Sequence, residues 1–351
     1  MKTNAELSPP TPSATHRLPS PLGGFMLALV FATALALSPA GRKVSTTLGF
    51  DFAESHGLTR LSPGALSLAF SRTVELPRIE HATTLSQMLT LVGYHLDNVR
   101  TGSAEVPRLS LAGLPGDLKD LDSPESRKAL FIKAMLPLVL QVNEEIANDR
   151  ARVLDLRDRQ TSGGALAVGD QAWLANLYAK YGVTLGNVAE LLRRLDVVPV
   201  SVALGQAALE SGWGTSRFAQ QGNALFGQIG VSGAPETVML KSEADGTLFR
   251  SFDSLTGAVR AYVQNLNTHN AYREFRAARA SLRKKAGEGH PLEGLLLVGA
   301  LTRYSERGAD YLGDLRGLIR INKLQQFDKS RLAGVSSTAD ASAPASRLPN
   351  A

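Results

Sequence analysis

The chain has 351 residues, no cysteine, a net charge of +6 and a 44% hydrophobic fraction. That length holds one or two domains with a buried core, and the lack of cysteine excludes disulfides and thiol chemistry. The positive balance suits an anionic partner, a condition that nucleic acid, anionic lipid and cell-wall polymer all meet.

Residues 1–21 are rich in Pro, Ser and Thr without a hydrophobic pattern, and read as a disordered head. Residues 22–37 are apolar apart from Gly23, Gly24 and Thr33. The run is long for a signal core and short of the roughly 20 residues of a spanning helix. Ser38, Pro39 and Ala40 form a small-residue cleavage site, so residues 22–40 read as an export signal, cleaved or kept as an inner-membrane anchor. Either outcome implies a periplasmic location and argues against a nucleic-acid partner. Residues 41–110 read as a linker, with a short helix over 83–100 carried by Leu85, Met88, Leu89, Val92 and Leu96.

Helical signals then dominate. Ser123 and Pro124 open a long helix with Leu130, Ala134, Leu138, Val142 and Ile146 on one face, and Pro137 is expected to kink it. Asp170 is expected to cap a helix bearing Trp173, Leu177 and Tyr178, and Thr184 to start another. Pro199 introduces the helix that ends at Glu210. Residues 237–240 and 247–252 flank an Asp245-Gly246 turn and predict a β-hairpin. Helices resume at Ser254 and are expected over 271–285, 291–304 and 308–326. Arg273, Arg276, Arg279 and Arg283 recur at near-helical spacing and read as a solvated face. Residues 329–351 read as a disordered tail. The fold class is mostly α (α+β), a helical domain with a small β-hairpin, preceded by the signal or anchor segment and the linker.

Glu210 sits at the end of a small-residue helix and is followed by Ser211, Gly212, Trp213 and Gly214. The glycines end the helix, and the negative end of the helix dipole disfavours an ionised carboxylate there. Apolar neighbours act in the same direction. A carboxylic acid still protonated near neutral pH suits a leaving glycosidic oxygen, and the Trp213 indole offers a face on which a sugar stacks. The six histidines do not pair at metal-ligand spacing, and no cofactor is implied.

Residues 207–228, AALESGWGTSRFAQQGNALFGQ, resemble the signature of the glucosaminidase family of peptidoglycan hydrolases, glycoside hydrolase family 73. The blocks at 122–146, 252–280 and 304–324 resemble its Bax-like branch, so the likeness spans about 115 to 328. It implies a lysozyme-like domain over 115–328 that cleaves β-1,4 bonds after N-acetylglucosamine in peptidoglycan glycan strands, with Glu210 as catalytic acid. Asn223 and Phe226 fall in the family's GN-x-x-FG segment as cleft-floor residues, or else as a capping amide and a core phenyl. Tyr272 matches a tyrosine that faces the cleft, and Tyr304 is a candidate for a sugar subsite; packing between helices is the alternative for both. In several members a hairpin glutamate is the second catalytic group. Glu236 and Glu243 stand in the hairpin here, with Glu243 preferred as catalytic partner and a solvated loop charge as its alternative. Failing a partner, the substrate's acetamido group or Tyr272 has the role. A lytic transglycosylase or muramidase on the same scaffold, and a glycan-binding protein without catalysis, are the competing functions.

Overall fold

The computed structural model describes residues 73–230, 239–243 and 246–334. The head, the segment at 22–40, Glu236 and Asp245 lie outside the described residues. Among the described residues, no helix is long and apolar enough to cross a membrane. The domain is mostly helical with two small two-stranded sheets.

From residue 73 onward the expected linker is part of the fold. Strand β1 (Val74–Leu76) runs parallel to β2 (Leu109–Leu111), with Val74 opposite Leu109. Between them lie α1 (Ala82–Leu91) and α2 (Leu96–Arg100), which bury Leu85, Leu89, Leu96 and Val99. His81 at the start of α1 gives no side-chain cap. The cap comes from Asp117, whose carboxylate accepts the Ala82 amide at 2.7 Å. Three-residue strands whose partners are distant in sequence leave no local periodicity, which is why the sequence shows only the helix over 83–100, here divided into α1 and α2.

Helix α3 (Pro124–Thr161) is 38 residues long, about 57 Å at 1.5 Å per residue. The Ser123 hydroxyl accepts the Ser126 amide at 3.0 Å, and Pro124 occupies the first turn, where its missing N–H costs nothing. All five residues of the predicted face are buried, and the helix continues through Pro137. Next come α4 (Val168–Lys180) and α5 (Val188–Arg194). Asp170 does not cap α4; it lies in the first turn and pairs with Arg152 at 2.7 Å. Helix α5 starts later than expected, with Asn187 as its cap, because Gly186 at φ +87° breaks the turn before it.

Helix α6 (Val200–Ser211) is buried along most of its length and packs against α3. The Asp328 carboxylate caps it, accepting the Ser201 amide at 2.8 Å and the Ser201 hydroxyl at 2.9 Å. Helix α7 (Arg217–Gly222) leads towards the hairpin of β3 (Met239–Lys241) and β4 (Leu248–Arg250), which pair antiparallel as predicted. Ile229 adds an antiparallel bridge to Phe249.

Helices α8 (Leu255–Thr268) and α9 (Arg273–Ala286) follow. The expected helix over 291–304 is reduced to α10 (Gly294–Leu297) and a 3-10 turn at Val298–Ala300. Helix α11 (Ala309–Ile321) packs on α6, where Gly205 admits it; a Cβ there would stand 2.9 Å from Leu315 and from Ile319. The start of the expected tail also belongs to the fold. Leu332 bridges Val106 in parallel, and the Arg108 guanidinium donates to the Ala333 carbonyl at 2.8 Å. Residues 335–351 lie outside the described residues.

The arginine series on α9 also needs correction. Arg273 is exposed, but Arg276, Arg279 and Arg283 are buried, Arg279 completely at 0%. Arg279 donates to the carbonyls of Arg193, Arg194, Asp196 and Val197 and to the Asn267 amide oxygen. Arg283 holds the Asp196 carboxylate by two bonds, at 2.8 and 3.1 Å. The carbonyls at the end of a helix lack intrahelical partners, and this face of α9 satisfies those that follow α5.

Candidate active site

Glu210 is positioned by the turn that ends α6. Gly212, Trp213 and Gly214 are three successive left-handed residues, at φ +58°, +59° and +80°. A left-handed conformation costs a bulky residue roughly 1–2 kcal/mol, so tertiary contacts must hold Trp213 in place. The Trp213 amide donates to the Ala208 carbonyl at 2.9 Å, and the Ser211 hydroxyl accepts the Gly214 amide at 2.8 Å. Gly214 presses against Leu114, Leu118 and Phe131, and a Cβ there would lie 2.4 Å from Leu114. The turn is therefore seated on α3, which fixes the direction of the Glu210 side chain.

The Glu210 carboxyl is half-buried, and its Oε2 would stand 3.3 Å from a Cβ at Gly227, a left-handed residue at φ +61°. Below it runs a chain of neutral donors. Tyr262 Oη donates to Gln206 Oε1 at 2.6 Å, and Gln206 Nε2 donates to Tyr311 Oη at 3.0 Å. Tyr311 in turn hydrogen-bonds the Glu210 carboxyl. Gln206 is completely buried, so both ends of its amide are committed. Burial raises the Glu210 pKa above the ordinary carboxylate value; the Tyr311 hydrogen bond and the Arg307 charge offset part of that rise. Arg307 is itself paired with Asp314 at 2.6 Å.

The aromatic rings form one continuous cluster. Phe226 stacks on Tyr262 with centroids 4.0 Å apart, and Tyr304 stacks on Tyr311 at 5.5 Å. Tyr272 lies 5.9 Å from Tyr304. Tyr304 Oη donates to the Phe226 carbonyl at 3.1 Å. Burial raises the pKa of Tyr262, Tyr272, Tyr304 and Tyr311, and the Glu210 charge adds to the rise in each. All four phenols stay neutral donors at ordinary pH.

The structure thus brings Glu210, Phe226, Tyr272 and Tyr304 together and places the other candidates elsewhere. The Trp213 ring packs edge-on against Phe131 at 5.7 Å, with the Lys128 ammonium 5.7 Å from its centroid. Asn223, left-handed at φ +51°, donates its amide to the Ala112 and Phe252 carbonyls and so acts as a tie between segments. The Glu243 side chain is 87% exposed, 3.7 Å from Arg217. Gln206, Tyr262 and Tyr311 were not among the sequence candidates. The one available signal was Gln206 standing four residues before Glu210, on the same helical face. Among the described residues, no group of three His, Asp or Glu side chains is placed to hold a metal.

Residues 186–291 match the family described as mannosyl-glycoprotein endo-beta-N-acetylglucosaminidase. Those residues include Glu210 and Tyr272 but stop short of Tyr304 and Tyr311. Protein bax of Escherichia coli (strain K12) is 32% identical over 266 residues, covering 74% of this chain and 92% of that protein. The catalytic domain of the autolysin Auto from Listeria monocytogenes is 20% identical, covering 49% of this chain and 96% of that domain, at a TM-score of 0.28. That score is too low to carry an argument about the fold. The identity to protein bax, sustained over nearly its whole length and joined to the family match around Glu210, shows that this chain belongs to the glucosaminidase family.

Proposed function

We propose that the chain is an exported endo-β-N-acetylglucosaminidase that hydrolyses β-1,4 bonds of peptidoglycan, with Glu210 as general acid. The observation that carries this reading is the Glu210 carboxyl itself, half-buried, raised in pKa and supported by the neutral chain from Tyr262 through Gln206 to Tyr311. In the reaction Glu210 gives its proton to the glycosidic oxygen as the bond to the anomeric carbon breaks. The resulting carboxylate then stabilises the cationic sugar. Water attacks the anomeric carbon, directly or after the substrate's own acetamido oxygen has bonded there, and its proton returns to Glu210.

The test is digestion of purified peptidoglycan by the full chain, wild type beside Glu210→Gln. The products are reduced with borohydride and their new ends identified by mass spectrometry. Reduced N-acetylglucosamine ends from the wild type alone are expected; full activity in Glu210→Gln would sink the assignment. Export through residues 22–40 belongs to the same proposal, and cell fractionation checks it.

One observation favours a lytic transglycosylase or muramidase as the second reading. The charge that acts on Glu210 among the described residues is the Arg307 cation, while Glu243 points into solvent. Transglycosylation runs with a single acid/base carboxylate, and anhydro-muramic or reduced muramic ends in the same digest would establish the second reading.

A further inference from the structure

We propose that Arg273 and Arg303 form an anion subsite at the rim of the tyrosine cluster, taking a carboxylate carried by the glycan strand. The proposal rests on the glycosidase reading of Glu210 and specifies which strands that site prefers. Arg273 follows Tyr272 and Arg303 precedes Tyr304, and those two rings lie 5.9 Å apart. Two segments remote in sequence therefore each bring one exposed guanidinium to the same place. With Asn270, Ala271 and Glu274 they line a cleft of about 260 Å³.

Several arginines of the fold are committed to carboxylates, and these two are not. Arg108, Arg150, Arg152, Arg159, Arg194, Arg260 and Arg307 each hold a carboxylate within 2.8 Å or less. Among the described residues, neither Arg273 nor Arg303 has an ion pair within 4.0 Å, although Glu274 lines the same cleft. Two cations and one carboxylate leave a net charge of +1, which matches a single carboxylate and leaves a phosphate dianion half neutralised. The cleft is therefore lined by the segments that carry two rings of the aromatic cluster beside Glu210. Wall strands freed of their peptides carry lactyl carboxylates on alternate sugars, whereas polymers of N-acetylglucosamine alone carry none.

The experiment uses full-length Glu210→Gln protein, which cannot turn the ligand over, and peptide-free glycan strands with their lactyl carboxylates free. Affinity is compared with that for the same strands after conversion to neutral methylamides. The unmodified cleft is expected to prefer anionic strands by about tenfold, the scale of one charge-assisted contact, and salt should erode the preference. Adding Arg273→Gln and Arg303→Gln should bring the ratio close to one. Adding Glu274→Gln should raise it, a gain that misfolding cannot imitate. Equal affinity for the two strand types, or a preference that survives loss of both arginines, overturns the subsite. Preferential binding by a protein whose wild type releases no new ends would refute the glycosidase reading while leaving the subsite intact.

Discussion

The molecule contains two buried polar regions built on opposite principles. On α9, each buried cation meets either a carboxylate or a set of carbonyl oxygens, and Asp196 meets the Arg283 guanidinium. Burial pushes the Asp196 pKa up, but Arg283, Arg279 and Arg150 outweigh it and hold the carboxyl below its ordinary value. Around Glu210 the supporting hydrogen-bonded chain consists of neutral phenols and an amide, Arg307 supplies the one opposing charge among the described residues, and burial wins. Compensated charge fixes a backbone in place; undercompensated charge leaves a proton available. The same low-dielectric interior serves structure in one region and chemistry in the other.

Glu210→Gln should break the chemical half of the comparison. A loss of about 10²–10⁴ in turnover is expected, the usual contribution of a general acid, with unfolding by denaturant essentially unchanged. Asp196→Asn should break the structural half by leaving Arg283 uncompensated. The expected cost is about 3–5 kcal/mol, read from denaturant midpoints, and replacing Arg283 by Met in the same chain should restore part of it. Because Asp196 has a lowered folded pKa, its contribution is present above the unfolded carboxylate value of about 3.9 and is lost as pH falls through the folded value. Stability measured against pH should lose that acid step in Asp196→Asn.

Tyr311→Phe sharpens the contrast rather than destroying it. It removes the hydrogen bond that lowers the Glu210 pKa, so the alkaline limb of the pH–rate profile should move to higher pH. The stability cost should be about 1–3 kcal/mol, because the buried Gln206 amide loses its acceptor. A limb that stays in place would show that Tyr311 does not govern the acid. The smallest effect is expected at Glu243. Its side chain is 87% exposed and faces Arg217 at 3.7 Å, so Glu243→Gln should leave the initial rate on peptidoglycan within about twofold, as substitutions at exposed sites usually do. A fall as large as that of Glu210→Gln would make Glu243 the missing second carboxylate.

Local patterns made part of this legible. The face of α3, the end of α6 at Glu210 and the hairpin each announce themselves through spacing or turn chemistry within a few residues. Three features do not. The arginines of α9 have the same spacing whether the face is wet or buried, and only the carbonyls of residues 193–197 decide the matter. Strand β1 is three residues long and depends on a partner some thirty residues later. Tyr311 reaches Glu210 from a helix about a hundred residues away, beyond the matched family segment. Trp213 is next to Glu210 in sequence, and its left-handed turn sets its ring edge-on against Phe131, a contact that sequence does not reveal.

The contact between Arg108 and the Ala333 carbonyl joins positions 225 residues apart. Closure of that kind is slow, because the entropy of a long loop must be lost before the contact forms. A ribosome therefore releases nearly the whole domain before its first strands have their last partner. Chains stalled before Leu332 should remain open to protease around residues 73–111, and release of the final residues should protect them.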